Sequence, residues 1–291
     1  MEKKTDTTTQ PQQTEPKRSN KSQRVITGVI FGVTAALCLV LHIYTLHLLE
    51  AVLSFIIFFE MNTVFNANKT EKLIGLFLFI FNQITLLSFT FDVSVEVYPF
   101  VSFIVYSIYA LYTHDIIKSM KLFFASFWTI HCLSYAIGCV NVTGSRFVPL
   151  YIVFTACYSD GMQYAFGRMF GKTRPLTYLS PNKSLEGYAG GLFAMIVLAL
   201  IAEESIVYMI FVMYLVGIIG DLMASCLKRQ LGVKDFGKVL PGMGGMFDRL
   251  DSITICMAAG YYWFKYTGYH PGTVIRCIQH YFYFTDDECP I

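Results

Sequence analysis

The stretch Ile206-Val-Tyr-Met-Ile-Phe-Val-Met-Tyr-Leu-Val-Gly-Ile-Ile-Gly-Asp221-Leu-Met-Ala-Ser225 carries one ionisable side chain, Asp221. A run of about 20 predominantly apolar residues is what a helix needs to cross a bilayer. Eight further segments read the same way or nearly so: Val25–Leu41, Ile43–Phe59, Leu73–Phe91, Val97–Tyr112, Leu122–Val140, Phe147–Ala165, Tyr188–Ile201 and Ile253–Thr267. Tyr188–Ile201 is short, and only His42 separates the first two. Composition agrees. Of the 291 residues 55% are hydrophobic and 14% charged, against about 25% charged in a typical soluble domain. The expected fold class is therefore all-α, a polytopic integral membrane protein with about nine transmembrane helices. The formal net charge of +2 gives no reason to expect a nucleic-acid partner.

Charge placement supplies an independent check, because cytoplasmic loops are enriched in Lys and Arg. With a cytoplasmic N-terminus and nine alternating spans, every Lys and Arg except Arg146, Lys265 and Arg276 falls inside. A span missed or invented would put the two large basic loops on opposite sides. Residues 1–24 hold no apolar residue between Met1 and Val25, and such a stretch cannot offset its ordering entropy by burial. A disordered cytoplasmic tail is expected there. A transmembrane bundle over 25–140 and a second transmembrane domain over 141–268 follow, then a tail over 269–291. None of the eight cysteines forms a CxxC pair. Cys277 and Cys289 can pair if their tail faces an oxidising compartment.

The polar chemistry gathers in loops 166–187 and 226–252. In the first, Asp160 closes an apolar helix, where an ionisable group is costly and often functional. Gly167-Arg168 and Gly171-Lys172 follow, then Ser180-Pro-Asn-Lys183-Ser-Leu-Glu186-Gly187. Glycine lets backbone approach a ligand, and the cations suit phosphate. The second loop is richer. Asp221, Asp235, Asp248 and Asp251 suit a hard divalent cation such as Mg²⁺. Lys228, Arg229, Lys234 and Arg249 suit phosphate oxygens. Pro241-Gly-Met-Gly244-Gly245 can turn backbone N–H groups toward an anion. Carboxylates, cations and glycines together fit phosphoryl or nucleotidyl transfer, which is mostly positioning and charge neutralisation. Asp248 and Asp251 share a helix face at i,i+3, and Asp221 approaches from the preceding span, so three carboxylates are expected to meet at the membrane boundary.

These motifs resemble those of phosphatidate cytidylyltransferases, or CDP-diacylglycerol synthases. The family's C-terminal signature stands here as Ser225-Cys-Leu-Lys228-Arg229, Lys234-Asp235-Phe-Gly237, Pro241-Gly-Met243-Gly244-Gly245 and Asp248-Arg249-Leu-Asp251, with unbroken spacing. Its upstream pattern stands as Asp160, Gly167-Arg168, Gly171-Lys172 and Ser180-Pro181 through Glu186-Gly187. The resemblance implies that CTP and phosphatidic acid give CDP-diacylglycerol and pyrophosphate, with Mg²⁺. It implies Asp221 and Asp248 as metal ligands, and Lys228 and Asp251 beside them in the catalytic set. Lys172, Lys183, Ser225, Arg229, Lys234, Asp235, Gly244, Gly245, Arg249 and Asp160 are the implied substrate and phosphate groups. A homodimer is implied by the family alone. Met243 stands where the family usually has His, and Leu185 where it usually has Trp. Met offers no hydrogen bond to phosphate, so a related CTP-dependent enzyme with another lipid acceptor, or a weakly active or inactive homologue, is the alternative. The sequence looks closer to bacterial members, favouring a plasma membrane over the endoplasmic reticulum, with the loops in the cytoplasm.

Overall fold

A computed structural model describes residues 21–88, 91–202, 204–240 and 243–268. The tails at 1–20 and 269–291, with Cys277 and Cys289, lie outside the described residues, as do Pro241 and Gly242. Among the described residues every regular element is helical: α1 (Lys21–Leu41), α2 (Ile43–Val64), α3 (Lys69–Ser88), α4 (Phe91–Thr113), α5 (Ile116–Ser126), a π-helical turn over Phe127–His131, α6 (Cys132–Thr143), α7 (Phe147–Phe170), α8 (Leu185–Leu200), α9 (Glu204–Gln230) and α10 (Phe247–Thr267). Each expected apolar segment lies largely on one of these helices, although Leu73–Phe91 runs past the end of α3 at Ser88 to the first residue of α4, and the π turn joins α5 and α6 into one. Among the described residues, four stretches are long and apolar enough to cross a membrane: Ile43–Val64, Lys69–Leu87, Ile116–Thr143 and Val207–Gln230. Helix α1 begins at Lys21, inside the segment read as tail. Hydropathy locates apolar cores, whereas helical hydrogen bonding runs on into flanking charged residues.

Large apolar side chains cover the outside of the helices, among them Phe59, Phe77, Phe103, Phe193 and Leu215. In water such a surface would associate; against lipid it is the expected lining. The interior of the N-terminal bundle is less apolar than its sequence suggests. Glu50 is buried and accepts hydrogen bonds from Ser54 (2.9 Å), Ser134 (3.1 Å) and Gln83 (2.9 Å). Asn82 donates to Ser134 at 3.0 Å. A carboxyl group at this depth needs such partners, and no periodicity argument shows which residues supply them.

The π turn aims Trp128 at α10. Its indole N–H donates to Thr254 Oγ1 at 2.9 Å, and its ring stands edge-on to Phe247. Helix α9 approaches α10 at Gly220, where a Cβ would lie 3.0 Å from Ser252 Cα. This closeness sets Asp221 beside the start of α10. Helices α7 and α8 meet through Gly187, Gly190 and Gly191, which pack on Gln163 and Phe166, as small residues do between membrane helices.

Candidate active site

The two polar loops meet. Lys183, from the first, reaches two carboxylates on two helices: Asp160 Oδ1 on α7 at 2.7 Å and Asp221 Oδ2 on α9 at 3.3 Å. Burial alone would push the Lys183 ammonium down. The two carboxylates outweigh that and hold its pKa above the ordinary lysine value. Arg229 adds a second link, donating from α9 to the Leu179 carbonyl of the first loop at 3.3 Å.

The first loop is held by its own sequence. Ser184 caps α8, its Oγ accepting from Gly187 N–H at 3.1 Å. Glu186 reaches back to the N–H groups of Lys172 and Thr173, each at 3.0 Å. Its own backbone N–H and those of Thr173 and Lys172 lower its pKa from 4.5 to about 2. Because the folded value lies below the unfolded one, the contribution to loop order is complete above about pH 4.5 and disappears as pH falls toward 2. Glu186→Gln is therefore expected to speed tryptic cleavage after Lys172 at pH 7, where the wild-type carboxylate is ionised. Equal cleavage rates at pH 7 would contradict this anchoring. Gly167 and Gly171 act differently from the sequence expectation. They press on Ser184 and on the backbone of Gly187 and Gly167, so they serve the α7–α8 contact.

The second loop is organised by Asp248. Its Oδ1 pairs with Lys228 Nζ at 2.8 Å. Its Oδ2 accepts from Phe236 N–H at 2.8 Å and Gly245 N–H at 3.1 Å. The Asp248 side chain is only 4% exposed, against 28% for Asp221. Lys228 also lies 5.4 Å from the centre of the Phe236 ring. Asp221, Ser225 and Lys228 follow at i, i+4 and i+7 along one face of α9. Gly244 takes φ +92°, a conformation that favours glycine, and sits between Asp235 and Asp248. Arg249 Nε donates to the Met243 carbonyl at 3.1 Å. Lys172 and Lys234 are exposed and make no ion pair among the described residues.

The expected meeting of three carboxylates does not occur. Among the described residues no group of three His, Cys, Asp or Glu side chains is placed to hold a metal. Asp248 is turned to Lys228 and the loop amides. Asp251 is buried, and its Oδ1 accepts from Ser252 N–H at 2.8 Å. The donors left still suit Mg²⁺, which commonly binds one or two carboxylates and takes its remaining ligands from water and substrate phosphates. Of the three, Asp221 is the most exposed.

Beside the loops, an apolar cavity of about 290 Å³ opens between α1, α2, α6, α7 and α10. Gly28, Phe31, Leu133 and Leu150 are among its walls, with Met243 and Arg249 among its lining residues. The Met243 side chain lies against Gly28 of α1. Sequence reading could not place α1 in contact with the site.

A family description, the Cytidylyltransferase family, matches residues 22–267. The chain belongs to the cytidylyltransferase family. This family match covers the helices and both loops. Among curated proteins, the uncharacterized protein YnbB of Escherichia coli K12 is 31% identical over 162 residues, 50% of this chain and 54% of that protein. A phosphatidate cytidylyltransferase of Staphylococcus aureus is 38% identical over 112 residues, 35% of this chain and 43% of that protein. One from Staphylococcus epidermidis is 36% identical over 118 residues, 38% and 45%. The match thus spans about half the length of these relatives.

The sequence reading missed Glu60 on α2. It is buried and accepts from the N–H groups of Met246 (2.8 Å) and Phe247 (3.0 Å) in the second loop. A signal was present: a lone carboxylate in the apolar run Phe58-Phe59-Glu60-Met61 is the kind of group that demands a partner.

Proposed function

We propose that this protein transfers the cytidylyl group of CTP to phosphatidic acid, releasing CDP-diacylglycerol and pyrophosphate. One observation carries the reading. The charged loops converge next to an apolar cavity, and Met243 and Arg249 belong to both. A reaction joining a water-soluble nucleotide to a lipid phosphate needs this adjacency. The S. aureus and S. epidermidis relatives are named for this activity.

The phosphatidate oxygen attacks the α-phosphorus of CTP, the bond to the β-phosphate breaks, and pyrophosphate leaves. Lys183, held protonated by Asp160 and Asp221, supplies a fixed cation for phosphate oxygens. Lys228 and Arg249 supply two more, and exposed Lys172, Arg229 and Lys234 attract the triphosphate from solution. Gly244 and Gly245 keep the loop backbone near the phosphates. Asp221 would hold Mg²⁺, with Asp248 joining if Lys228 turns to a phosphate. When bound, the ion neutralises charge on the transferring phosphoryl group. The apolar cavity takes hydrocarbon of the acceptor lipid. We assign the loops to the cytoplasmic side, in a bacterial plasma membrane.

Purified protein in detergent is expected to release pyrophosphate from CTP, phosphatidic acid and Mg²⁺, and to stop when the metal is chelated. Met243→His is expected to change the rate or pH dependence, not to create the activity. If only the His variant released pyrophosphate, the wild-type chain would be an inactive homologue. If another phospholipid or polyprenol acceptor alone supported release, the acceptor assignment would fail.

A further inference from the structure

The second loop is wound around two carboxylates, and only one of them belongs to it. Asp248 gathers Phe236 and Gly245. Glu60, from the N-terminal bundle, gathers the next layer. Its Oε1 and Oε2 take the Met246 and Phe247 N–H groups. Gly237 lies so close that a Cβ there would overlap the Glu60 carboxylate, and one at Gly245 would sit 2.9 Å from Glu60 Oε2. Both strands of the loop therefore close on one side chain.

The Met246 and Phe247 amides are also the opening N–H groups of α10. The helix has no side-chain cap of its own: Met246 occupies the N-cap position and makes no capping hydrogen bond. The first N–H groups of a helix need acceptors from elsewhere, and a carboxylate there also meets the positive end of the helix dipole. Asp248 is the second residue of α10, so its direction follows from where the helix starts.

We propose that Glu60 is a positioning residue for cytidylyl transfer. It caps α10 from α2 and thereby fixes Asp248 and the glycine loop without touching substrate. The catalytic consequence rests on the proposed activity; the clamp does not. A carboxylate accepts at both oxygens, whereas the amide of Glu60→Gln turns an N–H₂ toward one of the donors. Glu60→Asp keeps the charge and shortens the reach.

The test has two readouts. Hydrogen exchange on the full-length protein in detergent reports the clamp directly. Glu60→Gln is expected to speed exchange across residues 236–247 at least roughly tenfold, the loss of one amide-to-carboxylate bond, with residues 172–183 unchanged. Kinetics report the positioning. Per folded molecule, kcat is expected to fall roughly 10- to 100-fold, as for a small misplacement of reacting groups, with KM for CTP nearly constant and partial recovery in Glu60→Asp. Unchanged exchange in 236–247 overturns the clamp, whether or not the protein is active. Faster exchange with full kcat in an active enzyme overturns the positioning role. A wild type that releases no pyrophosphate overturns the proposed activity and leaves the exchange result to decide the clamp.

Discussion

Asp248→Asn is expected to remove pyrophosphate release and to weaken the fold at the same time. The carboxylate meets three donors, Lys228 Nζ and the Phe236 and Gly245 N–H groups. An asparagine must aim its own N–H₂ at one of them. Lys228, whose side chain is 16% exposed, then loses its ion-pair partner. Removing one partner of a buried pair costs about 3–5 kcal/mol, and the remaining exposure of Lys228 places this case at the lower end. Loss of a charge-organising group at the reacting phosphates adds a rate loss of roughly 10²–10³-fold or more. A lowered melting temperature in detergent together with lost turnover is the expected pair of results. Normal stability with lost turnover would show that the Asp248 contacts contribute little to the fold.

Asp221→Asn is expected to separate the two effects. Its side chain is 28% exposed, and its contact is a 3.3 Å pairing with Lys183. Lys183 retains Asp160 at 2.7 Å after the change. The melting temperature should move little, since a partly exposed pair is worth at most about 1 kcal/mol. Turnover should fall roughly 10²–10³-fold, as for loss of a charge-stabilising group at the reacting centre. Raising Mg²⁺ should recover part of it if Asp221 holds the ion. A variant with wild-type turnover at every Mg²⁺ concentration would remove Asp221 from the site.

The contrast between these aspartates was not readable from the chain. Both stand at apolar-to-polar junctions, and the family resemblance implies both as metal ligands. What distinguishes them is the path of the loop, which folds Phe236 and Gly245 back onto Asp248 and leaves Asp221 facing Lys183. Hydropathy was enough to place the helices, because a 20-residue apolar run has few alternatives. It was not enough for their ends: α1 and α3 both start several residues earlier than their apolar cores, at Lys21 and Lys69. Spacing brought the two loops forward as candidates, but their joining by Lys183 is a tertiary fact. The helix-packing use of the first-loop glycines was hidden because a close approach to a ligand and a close approach to a neighbouring helix demand the same residue. Glu60 and Glu50 were passed over for a simpler reason. Each is an ionisable group in an apolar helix, costly and often functional in the same way as Asp160.

Helix α10 draws its first acceptors from α2, across more than half the chain. The two halves of this protein are therefore not exchangeable parts. A chimera that joined its C-terminal half to the N-terminal helices of another family member would inherit a working loop only if the donor offered a carboxylate at the same height on its second helix. Substitutions in the Gly237–Phe247 segment and substitutions around Glu60 should constrain one another, so the history of the loop is written partly in a helix that carries none of its motifs.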